Sequence, residues 1–142
     1  MGGFKFLQHM GDALIEAYGL TLEEAFENAA LAMFEVMTNT SKVAPLIEEV
    51  IEVEGFDLES LLYNWLENLL VMFDVNVRVY SKFKVEKITR TTEGFNLKAR
   101  VWGEDYNPDK HEQRVGVKAV TYHMMSIEKK GGMWILRFLL DL

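Results

Sequence analysis

Two long stretches of the chain carry hydrophobic residues at the three- and four-residue spacing of an amphipathic helix. TLEEAFENAALAMFEVMTN begins at Thr21 and keeps this spacing to Met37, and DLESLLYNWLENLLVMFD begins at Asp57 and keeps it to Phe73. Thr21, with Glu24 three residues later, predicts a capping box, and Asp57 is a favourable N-cap residue. The sequence therefore predicts two helices, each with one apolar face to bury.

Most of the remaining segments alternate between polar and apolar residues, as half-buried strands do. The alternation covers residues 13–18, 82–86 and 95–102, and it continues in VKAVTYHMMSIE and MWILRFLLD, which KKGG joins as a tight hairpin turn. Residues 46–54 predict a weaker strand between the helices. The order β-β-α-β-α-β-β-β-β predicts an α+β fold, with two helices packed on one face of a mostly antiparallel sheet and a single domain over residues 1–142.

Composition narrows the class of protein. With 142 residues, 49% of them hydrophobic and 26% charged, the chain has the profile of one soluble globular domain. No apolar stretch approaches the roughly 20 residues that span a bilayer, and the N-terminus lacks the apolar region of a signal peptide. The absence of cysteine excludes disulfides and thiolate metal sites. We therefore expect a cytoplasmic protein without membrane association.

The net charge of -7 is unevenly distributed along the chain. Residues 21–74 hold twelve acidic residues against one lysine, whereas residues 75–140 hold thirteen basic residues against seven acidic ones. This pattern fits either ordinary solvated faces or a protein with an acidic and a basic side that steers a charged partner. Because the basic residues are scattered through an acidic chain, the sequence does not favour direct binding to nucleic acid.

Three polar places are not explained by the predicted core. HMGD, residues 9–12, lies between two strands and has the composition of a turn. WGEDYNPDKHEQR, residues 102–114, contains Lys110 and His111 and has the composition of a solvated hairpin loop. Asp141 and Leu142 are the last residues of the sequence, directly after an apolar run.

The HMGD turn and the last two residues come together if the first and last strands are neighbours. Asp12, Asp141 and the terminal carboxylate of Leu142 would then lie together, and such a cluster either raises carboxylate pKa values or binds a cation. A hard divalent ion with oxygen ligands, Ca²⁺ or Mg²⁺, suits this set. His9 is either a ligand for a softer metal or a residue that orients the turn by hydrogen bonding.

No arrangement of nucleophile, base and oxyanion site is recognisable. The sequence lacks a P-loop, a GxGxxG motif, an HExxH motif and a nucleophile elbow. His123 lies on a predicted strand, where a partly buried histidine is expected. The pattern favours an accessory protein over an enzyme, and a metal-dependent phosphoesterase that uses Asp12 and Asp141 is the alternative.

Four segments together resemble the archease family. They are LEEAFENAALAMFEVMT, DLESLLYNWLENLLVMFD, KHEQRVGVKAVTYHMMSIE and the final LLDL, and the resemblance runs from Phe4 to Leu142. The opening motif departs from the family, in which HTAD is usual, because this chain has HMGD with His9 and Asp12 in the same places.

The resemblance implies a cofactor-like protein for the RtcB-type tRNA-splicing ligase, which seals RNA ends with GTP and a divalent metal. The implied role is to promote guanylylation of the ligase, to allow its multiple turnover and to widen its choice of NTP. RNA would then be met only through the ligase. A chaperone for RNA-modifying enzymes is an alternative that the family also suggests.

The resemblance also implies which residues carry this role. The metal ligands would be Asp12, Asp141 and Leu142, with Ca²⁺ as the ion and Mg²⁺ or Mn²⁺ as other hard divalent candidates. Lys110 is a candidate for a residue needed in activation. No catalytic residue is expected in this chain.

Overall fold

The computed structural model of the protein describes residues 3–9 and 11–142, and for Gln8 and His9 it describes the backbone alone. Its helices are α1 (Leu22–Met37) and α2 (Leu58–Asn76), and its strands are β1 (Phe4–His9), β2 (Asp12–Gly19), β3 (Ile47–Gly55), β4 (Arg78–Thr91), β5 (Gly94–Asp105), β6 (Ala119–Lys130) and β7 (Met133–Asp141). A short 3-10 turn at Thr40–Lys42 precedes β3. The order of helices and strands is the predicted one.

In the described residues the strands form two antiparallel sheets. The four-stranded sheet has the order β1-β2-β7-β6, and the three-stranded sheet has the order β3-β5-β4. Helix α1 packs on β2 and β7 of the first sheet and on β4 of the second, while α2 packs on β6 and on β3 and β5. The predicted α+β class is confirmed, and the structure adds that the helices join two sheets.

Both helices begin at the predicted N-cap residues. The Thr21 hydroxyl accepts a hydrogen bond from the Glu24 amide at 3.1 Å, and the Asp57 carboxylate accepts one from the Ser60 amide at 2.7 Å. The Glu24 side chain accepts from the amide of Leu20 at 2.8 Å, one residue before the position that a capping box uses. These bonds satisfy amides that the first helical turn leaves without partners.

The core lies where the helices meet the two sheets. Phe34 of α1 is fully buried, and its ring centroid lies 5.5 Å from that of Tyr80 and 5.7 Å from that of Phe83, both on β4. The buried Trp65 of α2 donates from Nε1 to the carbonyl of Phe26 in α1 at 2.9 Å. Burial of such large side chains contributes about 1.5–3 kcal/mol each, so the helical stripes are core positions, as predicted.

Helix α1 also covers the open edge of β4. Glu27 accepts a hydrogen bond from the Val85 amide at 2.9 Å, and Glu23 accepts one from the Ile88 amide at 3.2 Å. Unpaired amides at a sheet edge attract other strands, and these carboxylates occupy two of them.

The segment 106–118 connects β5 to β6 and passes from one sheet to the other. The amide of Arg114 donates to the carbonyl of Met37 at 3.0 Å, and that of Val115 donates to the carbonyl of Val36 at 3.2 Å. The segment therefore packs on the end of α1. Residues 107–110 and 112–114 are exposed, as predicted for a solvated loop, but the prediction of a hairpin at residues 102–114 is wrong, because β5 and β6 lie in different sheets and β5 continues to Asp105.

Strands β6 and β7 form the predicted hairpin around KKGG. Lys130 pairs with Met133, and Gly131 and Gly132 have φ of 58° and 78°, the left-handed conformation that this two-residue turn requires. Farther from the turn, residues 122–125 of β6 leave the ladder. His123 is exposed there, so the prediction of a partly buried histidine is wrong, because the bulge breaks the alternation of the strand.

Among the described residues, neither helix has the length and apolar character needed to cross a membrane.

Candidate functional site

Asp12 and Asp141 face each other at one end of the antiparallel pair β2–β7. Asp12 is the first residue of β2 and Asp141 is the last residue of β7, and their Cα atoms are direct partners in the antiparallel ladder. Side chains of directly opposed residues leave the same face of a sheet, with Cβ atoms about 5 Å apart. The predicted meeting of these two residues is confirmed, with the difference that β7 pairs with β2 and not with β1.

The opposition of two carboxylates has a physical consequence. Asp12 is partly buried and Asp141 is exposed. Like charges directly opposite on neighbouring strands destabilise the pair. Farther along the same face, Glu16 opposes Arg137 and the two form an ion pair, with Arg137 Nε 3.1 Å from Glu16 Oε2. The strand-end pair has the charge pattern that a bound cation would stabilise.

The chain end is held next to Asp141. The Leu142 side chain packs against the core, and the carbonyl of Asp141 accepts a hydrogen bond from the Lys118 amide at 2.7 Å. Ala119, the first residue of β6, pairs with Asp141 on the side away from Asp12. Leu142 therefore lies one residue from the paired carboxylates, and its role as a third oxygen ligand for a hard cation stays a prediction.

The HMGD turn is described in part. His9 pairs with Asp12 through the backbone, and Gly11 has φ of 77°. The side chain of His9 and the whole of Met10 lie outside the described residues, so the orienting or ligating role of His9 stays a prediction.

In the described part of the chain, no three side chains of histidine, aspartate or glutamate lie together in a group that could hold a metal ion. The donor set at the strand ends consists of the side-chain carboxylates of Asp12 and Asp141, with Leu142 as the third predicted ligand. Its chemistry fits Ca²⁺ or Mg²⁺, because these ions prefer oxygen ligands. That the set binds an ion stays a prediction.

Lys110 lies in a separate cluster centred on Glu104. Oε2 of Glu104 accepts hydrogen bonds from Lys110 Nζ at 2.7 Å, from the Ala44 amide at 2.7 Å and from His111 Nε2 at 3.0 Å. Burial raises the pKa of Glu104, but the bonds from Lys110, Ala44 and His111 outweigh it and lower that pKa to about 2. Glu104 is therefore an anion at every physiological pH, and it fixes the position of the Lys110 ammonium group.

His111 forms the buried side of this cluster. Its side chain is fully buried, and Nδ1 accepts a hydrogen bond from the Asn107 amide at 2.9 Å. With Nδ1 as an acceptor, the ring hydrogen is assigned to Nε2, which donates to Glu104. Both ring nitrogens are thus used in holding the loop, so His111 has a structural role here.

The two clusters are connected by the segment 106–118. Lys110 lies near its start, and Lys118, at its end, donates to the Asp141 carbonyl. The resemblance singled out Lys110, whose role in activation stays a prediction, and sequence reasoning missed Glu104, the residue that holds it. Glu104 lies in the polar run GEDYN, and its spacing gave no signal that could distinguish it from its neighbours.

Comparisons with known proteins find matches that cover nearly the whole chain. The model of the Archease protein family matches residues 4–142. A protein archease of Sulfurisphaera tokodaii is 49% identical over 142 residues, and one of Sulfolobus acidocaldarius is 50% identical over 142 residues, with 100% of each chain covered.

Two solved structures are similar in fold. The solution structure of Methanobacterium thermoautotrophicum protein 1598 has a TM-score of 0.88 and 47% identity, with 100% of both chains covered. The crystal structure of a Thermotoga maritima archease, described as a possible chaperone, has a TM-score of 0.63 and covers 97% of this chain and 96% of its own. At 19% identity, this second likeness concerns the fold alone.

Proposed function

The chain belongs to the archease family, and from that premise we propose that it activates an RtcB-type tRNA-splicing RNA ligase. The proposed role is to promote guanylylation of the ligase, to allow multiple turnover and to widen its use of NTPs. The chain acts as an accessory protein in the cytoplasm and meets RNA only through the ligase. The observation that carries the proposal is the direct opposition of Asp12 and Asp141 at one end of the four-stranded sheet.

The strand-end carboxylates are the proposed metal ligands. Asp12, Asp141 and the main-chain carboxylate of Leu142 would hold Ca²⁺ or another hard divalent cation such as Mg²⁺ or Mn²⁺. When bound, such an ion supplies positive charge that balances the phosphates of GTP. The pairing of Asp12 with Asp141 supports the first two ligands, and the packing of the Leu142 side chain against the core supports the third.

Lys110 supplies a second positive group. Its side chain is 44% exposed while Nζ is held by Glu104, so the ammonium group is both positioned and accessible. In the proposed complex Lys110 contacts a phosphate or a carboxylate of the ligase. Glu104 is a positioning residue in this arrangement, because it acts through Lys110.

Single-turnover guanylylation of the purified ligase, with and without this protein, tests the proposal. Asp12→Asn should abolish the stimulation, because it removes one of the opposed charges with little change in shape. Asp74→Asn, at an exposed position of α2, is the matched control and should stimulate as the wild type does. Stimulation by Asp12→Asn equal to that of the wild type, at limiting metal, would contradict a role of the ion.

A variant with one glycine added after Leu142 tests the third ligand. The addition replaces the main-chain carboxylate of Leu142 with an amide carbonyl and moves the terminal charge by one residue. We expect weaker Ca²⁺ binding, measured by isothermal titration calorimetry, together with weaker stimulation. Unchanged affinity in this variant would exclude the Leu142 carboxylate as a ligand.

A chaperone activity is the second candidate, since an archease of the same fold is described as a possible chaperone. Suppression of the aggregation of unrelated client proteins would favour this candidate over ligase-specific activation. The same purified protein, incubated alone with phosphate esters and Mg²⁺ or Mn²⁺, should show no hydrolysis. Turnover in that assay would instead support a phosphoesterase.

A further inference from the structure

The outer face of the three-stranded sheet carries a cluster of basic side chains. The inner face packs against both helices through buried residues such as Ile51, Phe83 and Leu97, so the alternate side chains point to solvent. The exposed bases on the outer face of β4 and β5, called the basic cluster here, are Lys82, Lys84, Lys87, Lys98 and Arg100. They are scattered over residues 82–100 of the sequence, and the register of the two strands brings them together.

Two rows of the basic cluster place like charges opposite each other. Lys84 is the direct partner of Arg100, and Lys87 is the direct partner of Lys98. Like charges directly opposite on neighbouring strands destabilise the pair. A face that is only solvated gains nothing from these rows, whereas an anion lying over them would offset the repulsion.

The lysines of the basic cluster keep their charge available. Arg100 is neutralised by two carboxylates, because it donates to Glu48 and its Nε lies 3.2 Å from Oε2 of Glu86. In the described part of the chain the four lysines of the cluster form no ion pair. The ammonium group of Lys82 lies over the ring of Trp102, 4.5 Å from its centroid, a contact that leaves the positive charge in place.

Acidic residues border the basic cluster and define its shape. Strand β3 pairs with β5 on the side away from β4, and its exposed side chains on this face include Glu48, Glu52 and Glu54. At the other edge, the carboxylates of Glu23 and Glu27 accept hydrogen bonds from amides of β4. An anion is therefore attracted to a stripe along β4 and β5 and repelled from β3.

The spacing of the stripe fits a chain of phosphates. Alternate residues of a strand are about 6.7 Å apart, so Lys98 and Arg100 place two charges at this interval on β5. Lys82 and Lys84 do the same on β4. A nucleic acid strand carries one negative charge per nucleotide, and proteins that bind single strands track this backbone with basic side chains. The proposed function places the protein at an RNA ligase, so RNA is the nucleic acid that it meets.

We infer that the basic cluster binds the phosphate backbone of the single-stranded RNA end that the ligase seals. The choice of RNA rests on the proposed function. The ligase brings the RNA, and the lysines hold its phosphates while the complex lasts. Because contacts to phosphate carry no sequence information, this binding does not depend on the RNA sequence.

Binding of RNA to the isolated full-length protein tests the inference. Fluorescein-labelled oligouridylate is titrated with protein, and anisotropy is recorded at several salt concentrations. EDTA is present, so that no divalent ion joins the RNA to Asp12 and Asp141. The logarithm of the association constant should fall linearly with the logarithm of the salt concentration, with a slope of about -0.7 for each phosphate contact.

Replacing one row of like charges should weaken this binding. The double variant Lys87→Gln/Lys98→Gln should raise the Kd about tenfold at low salt and make the slope shallower by about 1.4. Its Tm should not fall, because the substitutions remove a repulsion. The matched control is Lys129→Gln/Lys130→Gln, which removes the same charge from exposed positions of β6 in the other sheet and should bind as the wild type does.

Glu52→Gln tests the acidic border. Glu52 is the direct partner of Lys98 on β3, so removing its charge should lower the Kd for RNA. An equal loss of affinity in the two double variants would show that net charge alone governs binding, and it would overturn the inference. Undetectable binding of the wild type at low salt would overturn it as well. Competition by polyglutamate that equals competition by unlabelled RNA would assign the face to an acidic protein instead.

The proposed function and this inference can fail separately. The RNA titration contains neither ligase nor divalent ion, so its result does not depend on the stimulation of guanylylation. If RNA binding depends on Lys87 and Lys98 but guanylylation is not stimulated, the proposed function fails and the RNA-binding face stands. If guanylylation is stimulated but RNA binding is independent of these lysines, this inference fails alone.

Discussion

Asp12 and Asp141 are direct partners in the β2–β7 ladder, so two carboxylates leave the same face of the sheet at its end. The same two strands pair opposite charges at Glu16 and Arg137, where an ion pair forms. The same pair of strands therefore has opposite charges facing each other at Glu16 and Arg137, and like charges facing each other at Asp12 and Asp141. Like charges directly opposite each other destabilise a strand pair, and a cation between the two carboxylates would offset that cost.

The first prediction concerns this cost. In the absence of divalent ions, Asp141→Asn should raise the free energy of unfolding by about 0.5 kcal/mol, because it removes the repulsion between opposed charges. Adding Ca²⁺ should raise the Tm of the wild type and leave that of the variant nearly unchanged. Differential scanning calorimetry with EDTA and with Ca²⁺ measures both effects.

Asp74→Asn is the control for this experiment, because Asp74 is exposed on α2. Its Tm should rise with Ca²⁺ as the wild type's does. Equal Ca²⁺ stabilisation of Asp141→Asn and the wild type would show that the ion binds elsewhere.

The parts of the fold that sequence predicted depend on local signals. The apolar spacing after Thr21 and Asp57 fixes two helices and their first residues, and these residues do cap them. KKGG fixes a hairpin because two consecutive left-handed residues favour glycine. Such features are determined within a few residues, so the printed sequence suffices.

The parts that sequence missed depend on distant contacts. The division into two sheets follows from which strands pair, and the pairing of β2 with β7 joins residues more than 100 positions apart. His111 is buried because the segment 106–118 crosses between the sheets and Glu104 meets it there. The bulge at residues 122–125 leaves no mark in VKAVTYHMMSIE, since it is defined by the register with β7.

Val77 supports a prediction about the end of α2. This residue has φ of 50° and caps the helix in the left-handed conformation, which is unfavourable for a β-branched side chain. Val77→Gly should raise the free energy of unfolding by about 1 kcal/mol, measured by urea denaturation. Val75→Gly, inside the last turn of the helix, should lower it by about 0.5 kcal/mol. Destabilisation by both substitutions would contradict the assigned conformation.

Glu27 supports a prediction about pH. Burial raises the pKa of this carboxyl above its ordinary value of 4.5, although the Val85 amide and Lys84 act in the opposite direction. The folded state thus favours the neutral form, and the stability contributed by this group is lost as pH rises through the raised pKa. Glu27→Gln keeps an acceptor for the Val85 amide and carries no charge.

The Glu27→Gln variant should therefore be more stable than the wild type at pH 7, and the difference should shrink as pH falls towards 4.5. Thermal unfolding followed by circular dichroism at several pH values gives this difference. Glu93→Gln, at the exposed β4–β5 turn, is the control for the loss of one surface charge. If the stability difference between Glu27→Gln and the wild type did not depend on pH, the substitution would act through packing and not through the charge of Glu27.

Glu104 supports the last prediction, which concerns the loop that carries Lys110. Glu104→Gln should lower the free energy of unfolding by about 2 kcal/mol at pH 7, because it removes the charge that accepts bonds from Lys110, Ala44 and His111. The folded-state pKa of about 2 is below the ordinary 4.5. The contribution of this carboxylate is therefore complete above pH 4.5 and is lost as pH falls towards 2.

The gap in stability between wild type and Glu104→Gln should close over that acidic interval, as measured by guanidinium denaturation at fixed pH. Glu112→Gln is the matched control, because Glu112 lies in the same segment and forms an ion pair with Arg114. The Glu112 side chain in this pair is 53% exposed. Exposed ion pairs contribute about 0.5 kcal/mol or less, so this control should change stability little at any pH. If Glu104→Gln behaved like Glu112→Gln, the cluster around Lys110 would contribute no more to folding than a surface pair, and Lys110 would lack the fixed position that the activation role requires.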